Sequence, residues 1–273
     1  MKFCEKSKTA SVFYRGFNMS VRHLLYLIIL ILYTLPCPRA HAQWDLDFDS
    51  FFTDYYANPW TGSFASGLNG RSGNANTMDI NLNLIANRET ELNATNVIGN
   101  YFYGRNNSTT VNDRAFGQVR RERKLQDPWS LFFQGALEFD RFRDFDYRIA
   151  LHSGLSREMY RNESGFLKAR FGAGSSREVG APNSEWIPEL QIGSDWEYRF
   201  TETTNAFAIV DYYPNVSNFS DYRLNTNVGL NFLLDAPRNL SFRIFAMNRY
   251  DSTPPPGDKK NDIDYGVALS LGF

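Results

Sequence analysis

Residues Ile263 to Phe273 constrain the fold more than any other stretch. Ile263, Tyr265, Val267, Leu269, Leu271 and Phe273 form one apolar row at a spacing of two. Asp264, Gly266, Ala268, Ser270 and Gly272 form a small or polar row between them. Successive side chains of a strand point to opposite faces, so this is a β-strand with one greasy face. Its length matches the roughly 9–11 residues of a transmembrane strand. Past the first 42 residues, nothing approaches the roughly 20 apolar residues of a membrane-spanning helix. If the chain enters a bilayer, it does so as a closed barrel, because lipid cannot satisfy the open edge of a sheet.

The front end points to export. Arg22 and His23 precede the apolar run Leu24–Leu35, which is followed by Pro36, Pro38 and Ala40-His41-Ala42. A basic flank, a short apolar core and a small-x-small site make a cleavable signal peptide, with cleavage between Ala42 and Gln43. Met19 offers a second start within this leader. Both cysteines, Cys4 and Cys37, lie in the leader, so the exported chain is expected to use no disulfide or thiolate chemistry. The leader also removes six basic residues and one acidic residue. That leaves 23 basic against 29 acidic residues, net −6, with no basic signature of a nucleic-acid partner.

Residues 43–59 (QWDLDFDSFFTDYYANP) read as an acidic and aromatic extension ending at Pro59. From 60 to 273 the chain is a series of two-faced segments. They are expected at Trp60–Asn69, Thr77–Asn87, Glu91–Tyr103, Thr110–Arg120, Trp129–Asp140, Asp146–Ser156, Phe166–Gly174, Pro188–Phe200, Asn205–Tyr213, Tyr222–Leu234, Leu240–Tyr250 and Ile263–Phe273. Asn205–Tyr213 is apolar on both faces and has no assignable facing. The expected fold is all-β: an antiparallel up-and-down transmembrane β-barrel of about twelve strands, with ten as the alternative.

Counting back from Phe273, long and short connections alternate as in a membrane barrel with both termini in the periplasm. Asp251–Asp262, Pro214–Asp221 and Ser175–Ile187 are the long outer ones; Asp235–Asn239 and Thr201–Thr204 are short. The rule reverses earlier, where Arg141–Phe145 is short and Arg157–Gly165 long. Alternation alone also fits a soluble periplasmic lipid-binding barrel, greasy side inward. The polar rows mix Arg, Glu and Asp with Asn, Gln and Gly, as a wet lumen would. Aromatics sit at row ends (Trp60, Phe200, Tyr222, Tyr250, Phe273), as membrane-interface belts do. Both features favour the greasy face outward, in an outer membrane of the Gram-negative type.

That facing makes Arg148, His152, Lys168, Arg170, Glu189, Asp195, Glu197, Arg199, Arg223 and Arg243 the lumen-facing candidates. Unpaired charge is costly when buried, so carboxylates and basic groups are expected to brace the interior. His152 is the one histidine past the leader. Ser156 shares its face but lies about 13 Å along the strand, too far for a hydrogen bond. An outer-membrane lipid hydrolase is therefore a minor alternative, and no catalytic residue, cofactor or metal site is assigned. Expected partners are outer-membrane lipid and small ions or solutes.

Three segments, PELQIGSDWEYRF (188–200), SDYRLNTNVGLNF (220–232) and RYDSTPPPGDKKNDIDYGVALSLGF (249–273), resemble the domain-of-unknown-function family 481. So do the corner Asp140–Asp144 and the pair Tyr212-Tyr213 before Pro214. Members of that family are called salt-induced outer membrane proteins. The resemblance spans roughly 60–273 and is loosest in the N-terminal half. It implies an outer-membrane barrel with no established activity and lends no catalytic residues. The apolar-ended last strand also resembles the closing strand of bacterial outer-membrane barrels. That likeness implies an assembly signal in Tyr265, Val267, Leu269, Leu271 and Phe273, read by periplasmic chaperones and the barrel-assembly machinery. The function expected is an envelope structural protein or a narrow pore linked to salt or osmotic stress.

Overall fold

The computed structural model describes residues 60–71, 76–254, 257 and 259–273; the leader, the cleavage site and the 43–59 extension lie outside them. The described residues contain twelve strands and no helix. The strands are β1 (Thr61–Arg71), β2 (Thr77–Glu89), β3 (Asn93–Asn106), β4 (Thr109–Lys124), β5 (Trp129–Asp140) and β6 (Tyr147–Asn162). They continue as β7 (Gly165–Val179), β8 (Trp186–Thr201), β9 (Thr204–Asn215), β10 (Asn218–Asp235), β11 (Leu240–Asp251) and β12 (Asn261–Gly272). Each pairs antiparallel with its sequence neighbours, and β1 meets β12, so the sheet is a closed up-and-down barrel.

The expected facing explains the burial. Outward positions keep large apolar side chains exposed: Phe133, Leu151, Leu155, Phe171, Ile192, Val267 and Leu269 among them. Inward positions bury polar ones: Asn81, Asn83, Gln118, Gln134, Arg170 and Gln191. A soluble barrel would reverse this pattern, so the fold is that of a membrane barrel. Aromatic rings cluster at strand ends. Tyr222 contacts Tyr212 and Tyr250 at 5.3 and 5.5 Å between ring centroids, and Trp196, Tyr198 and Phe200 form a second group towards the other rim. Such groups suit the two membrane interfaces.

β5 matches its expected span end to end. Two expected long linkers are in fact strand. Arg157–Gly165 shrinks to Glu163-Ser164, and Pro214–Asp221 to Val216-Ser217. The cause is the same in both places: β-bulges between Glu158 and Tyr160 and between Asn218 and Tyr222 break the two-residue alternation without ending the strand. The connections on the side of the chain termini span two to four residues, and those on the other side two to nine. One of the two shortest of the latter turns through Asn107 and Ser108 at φ 45° and 72°, the left-handed pair of a type I′ turn.

One seam differs from the rest. β1 and β12 share four in-register pairs, Ser63 to Ser66 against Gly272 to Leu269, and Gly62 and Phe273 exchange backbone hydrogen bonds of 3.0 Å each way. On their other sides the same two strands are paired over eleven residues each. Closure therefore rests on the last few residues of the chain. A small apolar core of Ala65, Phe245 and Ala268, with Phe102 and Met247 against it, lines the inside of this seam.

Candidate functional site

The lumen has a small apolar cluster inside the β1–β12 seam and a charged half built by β4 to β10. In the charged half, Arg170 on β7 is the centre. Its guanidinium donates to Asp211 on β9 at 2.9 Å and also pairs with Asp195 on β8, and its side chain is 0% exposed. Gly193 makes this possible: a Cβ there would lie 2.3 Å from Asp211 Oδ1 and 2.7 Å from an Arg170 guanidinium nitrogen. Asp195 also accepts from Arg120 at 2.6 Å, and Glu122 accepts from Lys168 at 2.7 Å and from the Ser156 hydroxyl at 3.3 Å. Gln191 donates to Asp211 at 3.1 Å, and Gln134 to the Tyr213 hydroxyl at 3.1 Å.

A second cluster adjoins the first. Glu189 accepts from Arg223 at 2.7 Å and from Ser176 at 2.8 Å, and His152 Nε2 lies 3.3 Å from its other oxygen. The His152 ring packs on Tyr213, 4.9 Å between centroids. Further towards the outer rim, Arg148 joins Glu138 at 2.8 Å and also pairs with Glu178. Arg114 pairs with Asp264, and Arg143 with Asp262 at 2.7 Å. The Arg148 pairs tie β6 to its in-register neighbours on β5 and β7, whereas Arg114–Asp264 and Arg143–Asp262 reach across the barrel to β12.

The network is continuous for six of the ten sequence candidates, His152, Lys168, Arg170, Glu189, Asp195 and Arg223, while Arg148 heads the separate group with Glu138 and Glu178. The other three stand apart from both. Glu197 accepts from Asn205 at 2.9 Å, and Arg243 donates to Asn231 at 2.6 Å. Arg199 is exposed at the rim and donates to the Glu163 carbonyl at 3.4 Å, so it braces no lumenal carboxylate. Sequence reading missed Arg120, Glu122, Asp211, Gln134, Gln191 and Tyr213. Arg120 and Glu122 sit where β4 continues through a charge-dense run, and Asp211 and Tyr213 lie on the strand with no assignable facing.

The charged network occupies the β4, β7, β8 and β9 side of the lumen at mid-height. A cavity of about 90 Å³ lies beside it, lined by Ile98, Arg114, Gln118, Ile209, Asp211 and Tyr213, and one of about 370 Å³ lies at the terminus-side rim beside Gly62, Asn231, Arg243 and Phe273. His152 is 1% exposed and engaged with Glu189, so a substrate has no approach to it, and Ser156 is held by Glu122. Among the described residues no cluster of three or more His, Cys, Asp or Glu has the arrangement to hold a metal ion. His152→Ala is expected to leave any phospholipid hydrolysis by the purified barrel unchanged while lowering stability by about 1–3 kcal/mol, because a buried partner of Glu189 is lost. Loss of hydrolysis at unchanged stability would instead make His152 catalytic.

The solved structures to which the chain is similar include two porins and an autotransporter domain. The chain is similar to the NanC porin, at 9% identity and TM-score 0.42, over 78% of this chain and 97% of that one. It is similar to the KdgM porin in complex with disordered oligogalacturonate, at 9% identity and TM-score 0.38, over 78% and 96%. The translocator domain of the autotransporter NalP from Neisseria meningitidis aligns at 10% identity and TM-score 0.40, over 78% and 87%. No curated protein matches the sequence. A family model covering residues 65–273 does match, and the chain belongs to that family, described as Protein of unknown function, DUF481.

Proposed function

We propose that this protein is a non-enzymatic outer-membrane barrel whose lumen is held shut at mid-height, a structural element of the envelope that passes at most small ions. The observation that carries this reading is the Arg170 side chain, 0% exposed and bound by carboxylates of β8 and β9, one of which, Asp195, is also held by Arg120 from β4 across the lumen. A barrel built to pass solutes freely keeps a hydrated interior, as in the larger porins. Here a guanidinium, several carboxylates and two glutamines occupy the middle. The cavity lined by Gln118, Asp211 and Tyr213 favours a narrow path over a solid plug, because open space runs beside the network.

In planar bilayers, the purified protein is expected to be nearly silent, with at most small, infrequent ion currents. Large steady conductance would overturn the closed-lumen reading. The membrane placement has its own test: a heat-modifiable band in the outer-membrane fraction supports it, and recovery in the soluble periplasm sinks it. Short connections on the terminus side support periplasmic termini. The link to salt or osmotic stress rests on the family resemblance alone, and its test is whether deletion of the gene changes growth at raised salt.

A further inference from the structure

The outward face of β4 breaks the pattern of the barrel. Gln118, Arg120 and Glu122 point into the lumen, so Val119, Arg121 and Arg123 point towards lipid, and both arginines are exposed. Arg121 is in register with Thr95 on β3 and Phe133 on β5, and Arg123 with Leu131. On β6, Arg157 is exposed beside Trp129, its in-register neighbour, with the guanidinium 5.3 Å from a ring centroid of that indole. Among the described residues none of these three arginines has a carboxylate partner.

Charge on a lipid-facing surface is expensive unless it reaches the interface and meets a counter-charge there. All three arginines lie towards the ends of β4 and β6 on the rim that carries the chain termini, next to an interfacial tryptophan. Other sectors at the same rim carry Trp196, Tyr198 and Phe200 on β8, Leu230, Phe232 and Leu234 on β10, and Leu269 and Leu271 on β12. The positive charge is therefore local to one sector and is not a uniform girdle.

We infer that the Arg121–Arg123–Arg157 sector is a binding site for the phosphate headgroup of an anionic phospholipid in the leaflet facing the terminus-side rim. Arg121 and Arg123 are about 6.8 Å apart along one strand, at 3.4 Å per residue. A phosphodiester between them accepts from both guanidinium groups, with the Thr95 hydroxyl on the adjacent strand as a third donor. Bidentate geometry and weak hydration suit arginine to this contact better than lysine. Val97, Val119 and Phe133 then provide the apolar surface along which the acyl chains run. Arg157, braced on Trp129, supplies a third positive charge and biases the site towards headgroups with net negative charge.

The inference rests on the membrane reading, and the test separates the two. Detergent-solubilised protein is titrated with phosphatidylglycerol or phosphatidylcholine, and bound lipid is counted by native mass spectrometry. Wild-type protein is expected to prefer phosphatidylglycerol, less so at high salt. Arg121→Gln with Arg123→Gln is expected to weaken that binding at least roughly tenfold while leaving phosphatidylcholine binding unchanged. Equal retention of phosphatidylglycerol by wild type and variant would overturn the site. So would the absence of any headgroup preference in the wild type, a result that needs no variant to fold. If the barrel fractionates with the outer membrane yet shows no preference, only this inference fails; if it is found soluble, the membrane reading fails with it.

Discussion

Deleting Phe273 is expected to leave most of the protein unassembled, without the heat-modifiable folded band and open to added protease. The reason lies in the β1–β12 seam. Phe273 makes two of the backbone hydrogen bonds that close the barrel, both with Gly62, and its ring lies over that glycine. Only four further in-register pairs hold the seam. Losing the two rim bonds leaves the four inner pairs to hold the seam alone, and an edge that opens there exposes backbone groups to lipid at several kcal/mol each. Leu269→Asp attacks the same seam differently. Leu269 faces lipid opposite Ser66 and Phe242. A carboxylate there costs less than the roughly 2–4 kcal/mol of a midplane arginine, so a partial loss of assembly is expected. His152→Ala, by contrast, should assemble normally. Full assembly of the Phe273 deletion, measured as the folded fraction on an unheated gel, would show that closure does not depend on the end of β12.

Much of this barrel was legible because its strands are two-faced. Trp129–Asp140 matches end to end: its alternation is unbroken and Pro128 bounds it. β6 and β10 were read short because bulges shift the phase of the alternation while the hydrogen-bond ladder continues. β4 runs on to Lys124, past the expected end at Arg120, because its outward arginines at 121 and 123 depart from the apolar row expected of a lipid-facing strand. For β9 the difficulty is different. Phe207 and Ile209 point inward with Asp211 and Tyr213, the first beneath the Arg243 guanidinium at 5.5 Å and the second at the cavity beside the network. The lumen takes apolar side chains beside charged ones on this strand, so polarity no longer marks its inner face.

The charged network was legible as a set of inward residues and not as a set of pairs. Arg120 reaches Asp195 across 75 residues of sequence, and Arg170 reaches Asp211 across 41. Such pairings depend on strand order, register and the diameter of the closed barrel, none of which is encoded near either partner. Gly193 was equally opaque. In sequence it is one more small residue of an alternating strand; in the barrel its missing side chain is the space in which Arg170 meets Asp211.

Arg170→Met is expected to have the largest effect of any lumenal substitution, on stability and on conductance together. Breaking a buried pair by removing one partner costs about 3–5 kcal/mol, because the surviving charge stays buried without compensation. The two carboxylates are unequal here. Asp195 keeps Arg120 at 2.6 Å, whereas Asp211 keeps only the Gln191 amide at 3.1 Å. The orphaned charge is therefore Asp211, and a second change at that position is diagnostic. Arg170→Met with Asp211→Asn removes it and should recover much of the lost stability in a denaturant titration of the folded barrel. Conductance should respond differently. Loss of the central guanidinium admits water between β7 and β9, so the single variant is expected to pass ions that the wild type does not. The double variant should remain leaky, since its network is still cut. Gly193→Val, which forces Arg170 and Asp211 apart without removing either charge, should also raise conductance. If all three variants stay silent in planar bilayers while the folded band is retained, the Arg170 cluster supports the barrel wall and something else closes the lumen.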